Sequence, residues 1–277
     1  MMAHEFVRVS GREIAYRRSP GQGRPVVLVH GNSSSSRTWR HLLDGKFGRR
    51  HRCLALDLPG HGASPAAEPG SGVYSVPGYA AVLAGFVDAL DARDAVIVGW
   101  SLGGHIALEA SALLPDAAGY AVFGTPPIGG PGDLAEAFLP NPALQTGFTA
   151  DVDEDAARTY AESFYAPGSP LSTADLVADI LATDGAARSD LGASLAGATA
   201  DEVGIVATLD RPLAVLHGAG EQFVNLAYLN KLHAPTLWRT AVQIIPHAGH
   251  APQEETPTEL TALLDEFIAE LPPGSRA

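Results

Sequence analysis

Residues 95–104, AVIVGWSLGG, constrain this chain more than any other stretch. The apolar run 95–100 has no polar face and ends on Gly99-Trp100-Ser101-Leu102-Gly103, after which residues 102–114 read as a helix. A short, continuously apolar run fits a strand covered on both faces, as in a parallel sheet. A strand that turns straight into a helix at a serine between glycines is the G-x-S-x-G arrangement. A side chain at either glycine would collide with the strand or the helix. The helix start also directs unpaired N–H groups and partial positive charge toward the serine. The rival reading, a glycine-rich turn with an incidental serine, accounts for the motif alone but not for the strand before it and the helix after it.

The flanking sequence repeats the same logic. Residues 6–9, 13–17, 25–30, 53–58, 95–100, 120–124, 212–217 and 241–245 read as strands. Residues 38–47, 78–90, 102–114, 226–233 and 258–271 read as helices. Regular alternation of this kind predicts an α/β fold with a mostly parallel, doubly wound sheet. It breaks after Gly124. Residues 126–209 are rich in Pro, Gly, Ala and Asp, with weak helical patches at 154–164 and 173–181 and no convincing buried strand. We read them as a helical cap inserted over the carboxyl edge of a core made of residues 1–125 and 210–277. A chain of 277 residues is long enough for one domain carrying such an insertion.

Charge and cysteine content narrow the partners. The 31 acidic side chains outnumber the 18 basic ones, for a formal net charge of −13. Such a surface repels phosphate backbones and anionic lipid heads, so neither nucleic acid nor a membrane is expected as a partner. The single cysteine, Cys53, lies in an apolar run and reads as core filler. The N-terminal sequence lacks the apolar segment of a signal peptide, and no run approaches the roughly 18 apolar residues of a membrane span. A cytoplasmic location is therefore expected.

A serine nucleophile needs a base, and the base needs an orienting acid. On a sheet of this kind the three follow in the order Ser, Asp or Glu, His. His250, in Ala248-Gly249-His250-Ala251-Pro252, falls after the last strand and is the candidate base; His247 is the rival, nearer the strand end. Glu221 is the only carboxylate in the loop after the 212–217 strand and is the candidate acid, with Asp133 the alternative. An oxyanion needs two donors. The N–H of Leu102 is one, and the N–H of Asn32 in His30-Gly31-Asn32-Ser33 is the other; the Asn32 side chain is then expected to face the pocket. Asp57 reads as a structural residue holding a loop near the mouth, and His30 as support for its own loop, while His61 and His105 receive no chemical role. Trp100, Tyr160, Phe164, Tyr165 and Phe223 are candidates for lining the pocket, although aromatics at such places are more often plain packing.

Four segments, HGNSSSS, LDLPGHGAS, GWSLGGH and GHAPQEETP, together resemble the α/β-hydrolase superfamily, which implies the α/β-hydrolase fold over everything outside the cap. A narrower resemblance adds Gly124-Thr125-Pro126-Pro127, the ATDGAAR stretch at 182–188, Glu rather than Asp at 221, and Leu237-Trp238. It is to the metal-independent α/β-hydrolase-type N-acyl-homoserine lactonases. That resemblance implies a serine hydrolase with Ser101, His250 and Glu221 as triad and Asn32 and Tyr160 at the substrate. It also implies a small acyl ester or lactone as ligand. Haloalkane dehalogenases and epoxide hydrolases carry Asp at the elbow, where this chain has Ser. The HxHxDH ligand cluster of metallo-lactonases is missing, and no phosphate-cradling loop is found, so neither a metal nor a cofactor is expected. A general carboxylesterase, or a ligand-binding receptor with little turnover, are the competing readings. A monomer or a homodimer is expected.

Overall fold

A computed structural model describes residues 2–195 and 200–272. Its centre is an eight-stranded sheet in the order β1-β2-β4-β3-β5-β6-β7-β8. The strands are β1 (Glu5–Val9), β2 (Arg12–Arg18), β3 (Pro25–Val29), β4 (Arg52–Leu56), β5 (Val96–Trp100), β6 (Gly119–Phe123), β7 (Leu213–Gly218) and β8 (Gln243–Ile245). Only β2 pairs antiparallel, with β1 and with β4; every pair from β4 to β8 is parallel.

Burial follows from that order. Every residue of β5, β6 and β7 is buried, which requires cover on both faces of the sheet. At the edge, β1 alternates, leaving Phe6 half exposed while Val9 is buried. Helices Val76–Ala89 and Leu102–Glu109 pack on each other; helix Pro257–Glu270 packs with the short helices Arg40–Asp44 and Pro252–Glu255. Cys53 is fully buried, and burial pushes its thiol up to about 12, so it is a filler and not a nucleophile. Among the described residues, no helix is long and apolar enough to cross a membrane.

Several boundaries differ from the sequence expectation. The helix expected at 38–47 is a 3₁₀ turn, Ser36–Trp39, followed by Arg40–Asp44 and Lys46–Arg50, broken at Gly45 in an extended conformation. The helix expected over 226–233 closes at Leu226–Leu229, shortly before Pro235, which cannot continue it. The strand expected over 241–245 is only Gln243–Ile245.

Between β6 and β7 the described residues form helices joined by loops. The clearest helices are Glu154–Glu162, Ala174–Ala182, Gly185–Leu195 and Glu202–Thr208. The first starts on Asp153, whose carboxylate accepts the Ala156 N–H, with Glu154 and Asp155 in the first turn. The last two were not expected from the sequence. Residues 196 and 197 of the Ala/Gly-rich segment 192–197 lie outside the described residues. Arg188, from the ATDGAAR stretch, is buried and donates to the carbonyls of Thr149, Ala150 and Ile180, tying three stretches of the insertion together. The insertion is bound to the sheet's carboxyl edge by Arg37, whose guanidinium lies 2.7 Å from Asp179 and 3.3 Å from Asp175. The Ser35 hydroxyl donates to Asp179 as well, at 2.8 Å.

Candidate active site

The parallel strands deliver their carboxyl ends to one edge, and four of the loops there carry the candidate residues. Asn32 follows β3, Ser101 follows β5, Glu221 follows β7 and His250 follows β8. The direction of strand addition reverses between β3 and β5, which is where a doubly wound sheet opens a crevice.

Ser101 holds φ 53° and ψ −120°, a conformation a side-chain-bearing residue rarely adopts. Its N–H donates to the Phe123 carbonyl at 2.9 Å, and its carbonyl accepts from Gly104 N–H and the Thr125 hydroxyl, each at 2.8 Å. With a longer bond from the His105 N–H to the same carbonyl, these hydrogen bonds over-determine the strained turn. The flanking glycines are required by space: a methyl group on Gly99 would lie 2.3 Å from the Gly103 carbonyl oxygen, and one on Gly103 would lie 2.2 Å from that of Val29. The backbone N–H groups of Leu102 and Asn32 have no hydrogen-bond partner among the described residues.

The His250 imidazole is buried, with Nδ1 2.9 Å from Glu221 Oε2 and 3.0 Å from Oε1. Glu221 Oε1 also accepts the Phe223 N–H at 2.8 Å. Burial alone would raise this carboxyl. The His250 ring, its hydrogen bond, the Phe223 N–H and His217 outweigh burial and hold it below the ordinary carboxylate range. Trp100 Nε1 donates to the His250 carbonyl at 2.7 Å, which fixes the histidine loop against the serine's own strand. Rings of Trp100, Phe164 and Phe223 stand 5.7, 5.7 and 5.0 Å from the imidazole and shield it from water. The loop is further pinned by Glu255, whose carboxylate accepts the N–H groups of Gly249 and Ala166.

A cavity of about 620 Å³ opens at this point. Asn32, Ser101, Leu102 and Tyr160 line it together, and most of the remaining wall is apolar. The Asn32 amide is not free in the pocket as expected. It donates to the Gly147 carbonyl of the insertion at 2.5 Å, and its oxygen accepts from Ser33. Among the described residues there is no group of three or more His, Cys, Asp or Glu side chains placed to hold a metal ion.

Comparison with known proteins decides the family. The alpha/beta hydrolase family profile matches residues 26–263. The chain belongs to the alpha/beta hydrolase family. Among solved structures, this hydrolase resembles the N-acyl homoserine lactonase AidH complexed with N-butanoyl homoserine. The two are 35% identical over 97% of each chain, with a TM-score of 0.92. It also resembles the esterase RhEst1 from Rhodococcus sp. ECU1013, at 26% identity over 98% of this chain and 99% of that one, with a TM-score of 0.80. The 2-(acetamidomethylene)succinate hydrolase of Mesorhizobium japonicum is 27% identical over 93% of this chain and 92% of its own length. The mostly parallel sheet and its helices are those of the α/β-hydrolase fold, and the enzyme is a hydrolase.

The other histidines and carboxylates of this hydrolase divide cleanly by environment. His247 is exposed, whereas His250 is buried beside Glu221. Asp133 accepts the Gly129 N–H and stands outside that pair. Asp57 is fully buried and accepts the N–H groups of Ser36 and Ala63, joining the loops that follow β3 and β4. His30 accepts the Leu58 N–H on Nε2, and burial lowers its pKa to about 4, so it stays neutral as a loop brace.

Of the five candidate aromatics, Tyr160 lines the cavity and Trp100, Phe164, Tyr165 and Phe223 do not. Trp100 and Phe223 are fully buried behind it, where they pack on the imidazole; as the last residue of β5, Trp100 is committed to the sheet side of the elbow. His105, which the sequence leaves without a chemical role, lines the cavity together with Glu109 and Glu202. The signal for the first two was present: they stand four and eight residues after Ser101, on one face of a helix.

Proposed function

We propose that this hydrolase opens N-acyl homoserine lactones by serine catalysis, and so quenches signalling that depends on them. The observation that carries the reading is the convergence of Ser101, Asn32, Leu102 and Tyr160 on one largely apolar cavity, with the His250–Glu221 pair beside it. The 0.92 TM-score to an N-acyl homoserine lactonase supports the same reading. Residues 126–209 serve as the cap that supplies Tyr160 and much of the apolar wall.

In this mechanism His250 takes the Ser101 proton on Nε2 while Oγ attacks the lactone carbonyl carbon. The free N–H groups of Leu102 and Asn32 hold the resulting oxyanion; one such donor contributes roughly 3–4 kcal/mol in related chemistry. Glu221 keeps the proton on Nδ1 and stabilises the imidazolium. The ring C–O bond then breaks, and His250 protonates the departing alkoxide, which stays tethered as the homoserine hydroxyl. Water, activated by the same histidine, cleaves the acyl-enzyme and releases the open acid.

The test is lactone opening by purified protein, followed at constant pH with EDTA present and with Ser101→Ala alongside. Opening that resists EDTA and disappears in the variant supports the reading. Short simple esters turned over far faster than any lactone would replace it with a general carboxylesterase, the reading favoured by the likeness to RhEst1.

A further inference from the structure

Beyond the nucleophile the cavity wall carries polar side chains that the reaction does not use. Ser101, His105 and Glu109 repeat every four residues along one face of helix Leu102–Glu109, and all three line the cavity. At 1.5 Å per residue, His105 and Glu109 lie about 6 and 12 Å beyond the nucleophile along the helix axis. Opposite them, Glu202 of the insertion approaches His105 Nδ1 to 2.8 and 3.0 Å and accepts the Ile128 N–H at 3.0 Å. The neighbouring wall is hydrocarbon: Val76, Leu134, Phe138, Leu191 and Leu195.

Three ionisable groups in such a wall need a reason. Glu202 is spent on His105 and Ile128. His105 Nε2 and the Glu109 carboxyl have no hydrogen-bond partner among the described residues, although both side chains line the cavity. Burial would lower the pKa of His105, but Glu202 and then Glu109 outweigh it, so the ring is held toward its charged form with Nε2–H as a donor. A plain alkyl tail laid along this face would strip water from both groups and return no hydrogen bond. An anionic tail would meet two glutamates, and a cationic one would meet the His105 imidazolium.

We propose that His105 and Glu109 are specificity-determining residues that select acyl tails bearing a neutral oxygen, such as a hydroxyl, about 6–12 Å from the scissile carbonyl. The hydroxyl accepts from His105 Nε2–H and donates to Glu109. This inference rests on the proposed acyl-transfer site for its orientation, since the tail is laid out from Ser101.

Binding tests it independently of turnover. In the Ser101→Ala protein, calorimetry compares N-decanoyl homoserine lactone with its counterpart hydroxylated in mid-chain. The hydroxylated ligand is expected to bind about tenfold more tightly, the gain of one good hydrogen bond to a charged group. Glu109→Leu in the same background should erase the preference, and Glu109→Gln, which keeps hydrogen-bonding capacity, should retain it. Equal or tighter binding of the plain chain overturns the proposal, and so does a preference that survives Glu109→Leu. A binding preference without lactone opening by the wild-type protein overturns the proposed reaction and leaves this inference standing; opening without the preference does the reverse.

Discussion

At the scale of single residues, the imidazole tautomer is the most sensitive feature of the site. Glu221 contacts His250 Nδ1 with both carboxylate oxygens and has one further partner, the Phe223 N–H. Replacing it by Gln lets an amide N–H face Nδ1, which then becomes the acceptor and leaves Nε2 protonated, unable to take the serine proton. Glu221→Gln should therefore lower kcat by about 10³–10⁴-fold with little change in KM, read by steady-state kinetics on any accepted ester. Glu109 offers a second handle, on stability. Burial, followed by the charge of Glu202, pushes its carboxyl up to about 7 from an ordinary 4.5. A raised carboxyl favours folding while it is protonated, fully so below its unfolded value. That contribution is lost as pH rises through the folded value, between about 4.5 and 7. Glu109→Gln removes the titration, so its Tm should gain on wild type by a few degrees across this window and level off above it, the modest size reflecting partial solvent screening. A constant Tm difference from pH 4 to 8 would show that Glu109 does not titrate abnormally.

Elements set how much of this was readable beforehand. The sheet announced itself because β3, β5, β6 and β7 are buried on both faces and so must be written as short apolar runs. Asn32, Ser101 and Glu221 were readable for the same reason, since each follows one of those runs at a turn marked by glycine, whereas His250 follows the short strand β8 and was marked by Gly249. Helix Gly185–Leu195 was not, because its sequence, GAARSDLGASL, has almost no apolar stripe and is held by Arg188 reaching backbone carbonyls far away in sequence. The meeting of His105 and Glu202 was not readable either, for it depends on how the insertion docks. That docking is testable. Arg37 bridges to Asp175 and Asp179 from the loop that carries Asn32. Arg37→Ala strands a largely buried Asp179 with the Ser35 hydroxyl as its remaining side-chain partner, at a cost of about 1–3 kcal/mol. The expected result is a raised KM, a smaller change in kcat and faster limited proteolysis within 126–209. At the elbow, Gly103→Ala forces a methyl group against the Val29 carbonyl oxygen and should cost about 1–3 kcal/mol while displacing Ser101. Urea titration reads the first effect and kcat the second.

For the whole molecule, the formal charge of −13 bears on turnover more than on fold. Under the proposed reaction a neutral lactone enters and a carboxylate leaves. The protein's field is indifferent to the first and repels the second, and the cavity wall adds Glu202 and Glu109 at close range. Substrate and product share the same tail and the same aliphatic contacts, so the field is what separates their affinities. Repulsion from the charged surface is screened beyond a Debye length of about 10 Å at 0.1 M salt and about 3 Å at 1 M. Raising salt should therefore tighten inhibition by the ring-opened acid several-fold while leaving kcat/KM for the lactone nearly unchanged. Initial-rate inhibition measured at low and high sodium chloride separates the two effects. If the acid inhibits equally at both, the discrimination against product is carried by Glu202 and Glu109 at a range shorter than the Debye length, and Glu109→Gln should then strengthen product inhibition at every ionic strength.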